Sequence, residues 1–104
     1  MSDDIKIRAK FRNGIITVKS LMVHPMETGF RKDKNTNEII PAHYIKEVQA
    51  YLNDEHIYLA HIGSGVSKNP FISFVINKGK PGDIIKMEWI DNRNNKGIGS
   101  ATVK

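Results

Sequence analysis

Ile5, Ile7, Ala9 and Phe11 alternate with Lys6, Arg8, Lys10 and Arg12, the period of two that a strand shows when one face is buried and the other is wet. Asn13-Gly14 follows at once. Asn-Gly tolerates the positive φ angles of a tight hairpin turn, so Ile15 to Val23 reads as a second strand, antiparallel to the first. Between His43 and Asn53, Val48, Ala50 and Leu52 alternate with Glu47, Gln49 and Tyr51. Propensity alone would allow a helix over residues 44–52, but the alternation and flanking turn residues favour a third strand. Asn53-Asp54 turns the chain into a fourth, His56 to Ile62. Phe71 to Ile76 is a β-rich fifth, stopped by Asn77-Lys78-Gly79-Lys80-Pro81-Gly82. Asp83 to Asp91 places Ile85, Met87 and Trp89 on one face as a sixth, and Asn92 to Lys96 turns into a seventh, Gly97 to Val103.

About seven short strands separated by turn signals predict an all-β chain, an immunoglobulin-like β-sandwich, with Trp89 as a candidate core tryptophan. At 104 residues the chain is read as one domain, 1–104, because this length supports one modest core. Two connections stand out. Gly63-Ser64-Gly65 through Pro70 is loop by composition. Residues 24–42 hold two prolines, a glycine and mixed charges with no sustained period, which predicts a long connection of the kind that usually carries function. Met26 and Phe30 are an apolar pair in that segment, and either pin it to the sandwich or meet a partner.

Composition removes whole classes of chemistry. The absence of cysteine excludes disulfides, thiolate nucleophiles, Cys-ligated zinc and iron–sulfur clusters. His24, His43, His56 and His61 offer no spaced ligand pair on any one predicted element, so no metal or other cofactor is expected. Glu27, Asp33, Glu38, Glu47 and Glu88 lie beside lysine or in polar surroundings and read as solvated surface. Ser20, Ser64, Ser67, Ser73 and Ser100 sit in no nucleophile motif, and Gly63-Ser64-Gly65 lacks the length and the lysine of a phosphate loop. The longest apolar runs fall well short of the roughly 20 residues of a membrane helix, and Met1-Ser2-Asp3-Asp4 is acidic where an export signal would be basic and then apolar.

Net charge is +5. Lys6, Arg8, Lys10 and Arg12 share one strand face, and Arg31, Lys32 and Lys34 cluster in the long connection. Phe11, the one aromatic near the stripe, faces the other way, so the stacking platform of a single-strand nucleic-acid binder is missing. An acidic protein partner, steered by charge, suits this arrangement better.

Three segments in order carry a resemblance: Val23-His24-Pro25-Met26-Glu27-Thr28-Gly29-Phe30-Arg31-Lys32-Asp33 with Ile40-Pro41 and Tyr44 to Tyr51; Ser67-Lys68-Asn69-Pro70-Phe71-Ile72-Ser73-Phe74; and Trp89-Ile90-Asp91. Together they resemble the SoxZ family over nearly the whole chain, with Ser67-Lys68 replacing a commoner small pair and Lys34 to Glu38 lengthening the loop. The resemblance implies an immunoglobulin-like sandwich without catalytic residues, which pairs with SoxY, the subunit whose cysteine carries the sulfur intermediate of thiosulfate oxidation. It also implies a periplasmic location reached by co-export with SoxY and transient contacts with other Sox enzymes, with self-association of the isolated chain left open; the missing stacking platform and the short apolar runs lead to the expectation of no nucleic-acid or membrane partner. His24, Pro25, Met26, Glu27, Thr28, Gly29, Phe30, Arg31, Lys32, Asp33, Asn69 and Pro70 are the candidate partner-facing residues. A free-standing recognition module, which needs converging aromatics, and a histidine-metal enzyme are the competing classes.

Overall fold

Which side chains can be buried decides how the strands pair. The computed structural model describes residues 4–63 and 65–104; the Met1-Ser2-Asp3 opening and Ser64 lie outside them. β1 (Ile5–Arg12) and β2 (Ile15–Met22) form the predicted hairpin, with Arg12 opposite Ile15 and Asn13 and Gly14 both at positive φ, 53° and 80°. β5 (Phe71–Ile76) pairs antiparallel with the far side of β2. The second sheet takes β3 (Ile45–Leu52), β4 (Glu55–His61), β6 (Ile84–Asp91) and β7 (Lys96–Thr102) in the order β4-β3-β6-β7. Asn53 and Asp54, also at positive φ, close the β3–β4 hairpin.

The two sheets face each other through the positions that alternation marks as apolar. Ile5, Ala9, Ile16, Val18 and Met22 meet Val48, Ala50, Leu52, Ile85, Met87 and Trp89, all buried. One side is closed by backbone: Phe11 N–H donates to the Lys104 carbonyl at 2.9 Å, and Lys104 N–H to the Ala9 carbonyl at 3.0 Å. The other is closed by side chains. Tyr58 of β4 stacks on Phe74 of β5 with ring centroids 4.3 Å apart, and Lys78 pairs with Glu55 at 2.8 Å. No helix is long and apolar enough to cross a membrane among the described residues.

The long connection departs from expectation, because it has strand character of its own. Glu27 and His43 exchange both backbone hydrogen bonds, at 2.7 and 3.0 Å, and Lys32 bridges Ile39. Asp33 N–H donates to the Glu38 carbonyl, and the Asp33 carboxylate accepts from the N–H groups of Asn35 and Thr36 to build the tip. Residues 27–43 therefore form a two-stranded arm. Gly29 serves it twice over, since its φ is +89° and a Cβ there would lie 3.1 Å from that of Ala42. Arg31 clasps Glu27 along one side. Alternation is invisible here because a ribbon standing off the sandwich has no buried face to enforce it.

Trp89 sits at the centre of the second sheet, 7% exposed, opposite Gly97 of β7. Its indole lies where a Gly97 side chain would be. Gly97→Ala is expected to lower the denaturant-unfolding stability by about 1–3 kcal/mol, the usual cost of overpacking. Gly63→Ala, whose added methyl meets nothing, should change it by less than about 0.5 kcal/mol. Equal effects would show that the tryptophan does not depend on the bare backbone beneath it.

Candidate functional site

The site forms where the arm leaves the sandwich, and it is organised by one carboxylate. Asp91 ends β6 and is completely buried, a position that costs an ionised group several kcal/mol unless donors surround it. The β6–β7 turn supplies some of them. Oδ1 accepts from the backbone N–H groups of Arg93 and Asn95 at 2.9 and 2.8 Å, and Oδ2 from the Asn95 side-chain amide at 3.2 Å. The others come from the two ends of the arm: His24 Nε2 and His43 Nε2 donate to Oδ2 at 3.1 and 2.7 Å.

The tautomers follow from this network. His24 Nδ1 accepts the Met26 N–H at 3.1 Å, so the proton sits on Nε2 and the ring is neutral. Burial is the largest influence on His24 and pushes its pKa down; the hydrogen bond to Asp91 opposes it and the neighbouring His43 adds to it, leaving the pKa below the ordinary 6.5. Burial pushes the Asp91 carboxyl up, but the donors from His24, Asn95, His43 and Arg93 together prevail and hold it far below the usual carboxylate range.

Around this core the chain is sewn together by asparagines. Asn69, at positive φ, accepts the His24 N–H at 3.0 Å and donates its own N–H to the His24 carbonyl at 2.9 Å. Asn92 accepts the Tyr44 N–H at 2.8 Å and donates its side-chain amide to the Ala42 carbonyl at 3.0 Å. Met26 is the one residue other than Asn, Asp or Gly at positive φ among those described; it is buried and its sulfur receives the Ile45 N–H at 3.4 Å. The His24 ring meets the His43 ring at 4.5 Å and stands edge-on to Trp89 at 5.0 Å.

The candidate partner-facing residues divide accordingly. His24, Met26 and Pro70 are interior, so they shape the arm from beneath and offer no surface. Pro25, Thr28, Phe30, Arg31, Lys32 and Asn69 are exposed, with Glu27, Gly29 and Asp33 half-buried. Phe30 is 86% exposed. Of the two roles open to the apolar pair, Met26 pins the arm and Phe30 faces outward. Sequence spacing missed His43 and Asp91: His24 and His43 are joined only by the arm, and Asp91 passed as the end of a strand. The tryptophan-x-aspartate pattern, beside an arm flanked by two histidines, is the signal that could have found them.

His24, His43 and Asp91 present ligand-type atoms within 4.8 Å of one another, which raises the question of a metal. A metal needs lone pairs, yet both Nε2 atoms carry protons toward Asp91 and the second His24 nitrogen is engaged by Met26. The arrangement suits a proton-filled hydrogen-bond hub. His56 and His61 stand apart, exposed on β4.

This hub predicts acid sensitivity. Because the folded His24 pKa lies below 6.5, the unfolded chain binds the proton first, and stability falls as pH drops through 6.5. The depressed Asp91 pKa adds a loss that begins only below its ordinary 3.8. The urea midpoint should therefore fall between pH 7 and 5, and His24→Gln should flatten that fall; an unchanged slope would remove His24 from the account. Asp91→Asn, which leaves histidine donors facing an amide, should cost about 3 kcal/mol in the same assay at pH 7.

Comparison with curated proteins gives no match. Comparison with family models matches residues 5–102 to the family described as "Sulphur oxidation protein SoxZ". The match includes all seven strands, the arm and the Asp91 hub. The chain belongs to the SoxZ family of sulfur-oxidation proteins.

Proposed function

We propose that this chain is the non-catalytic subunit of a sulfur-carrier complex, that it binds SoxY, and that the outer part of its arm forms part of the contact. Family membership brings a role in sulfur oxidation, and the absence of cysteine leaves the sulfur-bearing thiol to another chain. One observation carries the reading: a firmly rooted arm holds Phe30 86% and Ile39 59% exposed. Two large apolar side chains standing off a sandwich contribute nothing to its core, whereas buried aromatic anchors dominate protein interfaces. The root then has a mechanical role. Asp91, Asn92 and Asn69 fix both ends of the arm, so less ordering entropy is lost when a partner binds.

On this reading the complex works in the periplasm, and the chain travels there bound to its partner. The free-standing recognition module is less well supported. Tyr58 is stacked against Phe74, Trp89 is buried, and the Tyr51 hydroxyl bonds Gln49, so these rings form no shared exposed platform.

Co-expression with a SoxY-family protein and gel filtration should give one heteromeric peak, and chains that remain separate at micromolar concentration would overturn the proposal. Phe30→Asp should weaken the complex at least about tenfold while leaving the urea midpoint of the isolated chain unchanged. Binding equal to wild type would move the contact away from the arm.

A further inference from the structure

The outward positions of the β1-β2-β5 sheet are Lys6, Arg8, Lys10 and Arg12 on β1, Ile15, Thr17, Lys19 and Leu21 on β2, and Phe71, Ser73 and Val75 on β5. Five of these are cations and none is an acid. The chain has sixteen lysines and arginines against eleven acids, and five of those cations gather on this one face without an acid among its outward positions. No ion pair neutralises any of the five among the described residues.

This arrangement works against the fold. Arg8 lies directly opposite Lys19 across the β1–β2 ladder, and like charges in that relation destabilise a sheet. Arg8, Lys10, Arg12, Lys19 and Thr17 line a shallow groove of about 310 Å³. Beside it, Leu21 faces Phe71 and Thr17 faces Val75 across the β2–β5 ladder; Leu21, Phe71 and Val75 are 37%, 61% and 60% exposed. The face is thus half cationic and half apolar, with the cationic half toward the Asn13-Gly14 turn and β1 edge.

We propose that this face docks an acidic segment of a protein partner, with carboxylates over Arg8, Lys10, Arg12 and Lys19 and apolar side chains over Leu21, Phe71 and Val75. Charge complementarity selects the occupant. A single small anion is too short, because Lys6 to Arg12 spans about 20 Å of strand at about 3.3 Å per residue. Nucleic acid would gain from aromatics among the cations, whereas Phe71 lies two strands away from the stripe. The cationic half lies toward the Asn13-Gly14 turn, at the end of β2 away from the arm, so variants at Arg8 and Lys10 test this inference apart from the proposed SoxY contact at the arm.

The full-length chain, labelled with ¹⁵N, is titrated with a glutamate-rich peptide carrying leucines. Amide shifts should concentrate at Arg8, Lys10, Thr17, Lys19 and Phe71, and affinity should fall with salt. Replacing the peptide leucines by serine should weaken it, since the apolar half would then be unused. Arg8→Glu with Lys10→Glu should weaken binding at least about tenfold, and Arg31→Glu with Lys32→Glu on the arm, an identical change of net charge, less than about twofold. Lys19→Gln should raise the thermal midpoint while weakening the peptide. Equal losses from the two double variants, shifts scattered over both sheets, no effect of the leucines, or a lower midpoint for Lys19→Gln would each overturn the proposal. So would displacement of the peptide by sulfate at matched ionic strength or by single-stranded DNA.

Discussion

A carboxylate without access to water must be supplied with donors from the protein, and the region where the arm meets the sandwich is arranged around that demand. The β6–β7 turn meets part of it locally, through the N–H groups of Arg93 and Asn95. The rest can come only from chain distant in sequence: His24, 67 residues away, and His43, 48 residues away, both donate to the same oxygen of Asp91. Once those two rings are committed, both ends of the 27–43 arm have a fixed position on the second sheet. Asn69 and Asn92 then satisfy the backbone groups that such an irregular junction would otherwise leave without partners.

The hub also explains why the motif residues divide into an inner and an outer set. In Val23 to Asp33, the histidine and methionine point inward, to Asp91 and to the Ile45 N–H, while phenylalanine, arginine and lysine stand in solvent. Asn69-Pro70 and Trp89-Ile90-Asp91 belong to the same junction, one gripping the His24 backbone and the other receiving its ring. A motif spread over three segments is thereby one structural unit. Its inner members set the arm's position, and its outer members are free to face a partner.

Strands and core were legible because each strand has one buried face, and burial imposes a period of two. Ile5, Ile7, Ala9 and Phe11 against their four cations, or Ile85, Met87 and Trp89 on β6, could have been arranged in few other ways. Asn13-Gly14 and Asn53-Asp54 announced their hairpins through residues that accept positive φ. The arm was not legible as a ribbon, because Lys32 and Ile39 pair without a core to dictate which side chains are apolar. His43 and Asp91 were missed for a different reason. A long-range hydrogen bond leaves no local period, and a buried aspartate at a strand end has the same sequence context as an exposed one.

The distribution of charge gives the molecule a second axis, independent of the hub. At the arm root the protein surrounds its buried anion with donors and keeps the nearby His24 neutral, whereas on the outer face of β1-β2-β5 it sets Arg8 against Lys19 with no acid on the same face. A sheet selected for stability alone would place opposite charges or β-branched residues at such a pair. Nothing in the fold calls for five cations there, and no acid stands at an outward position of these three strands. The unbalanced face therefore has its physical complement outside the chain, in a partner bringing negative charge, and the grouping of five cations on one sheet directs that attraction at one side of the sandwich.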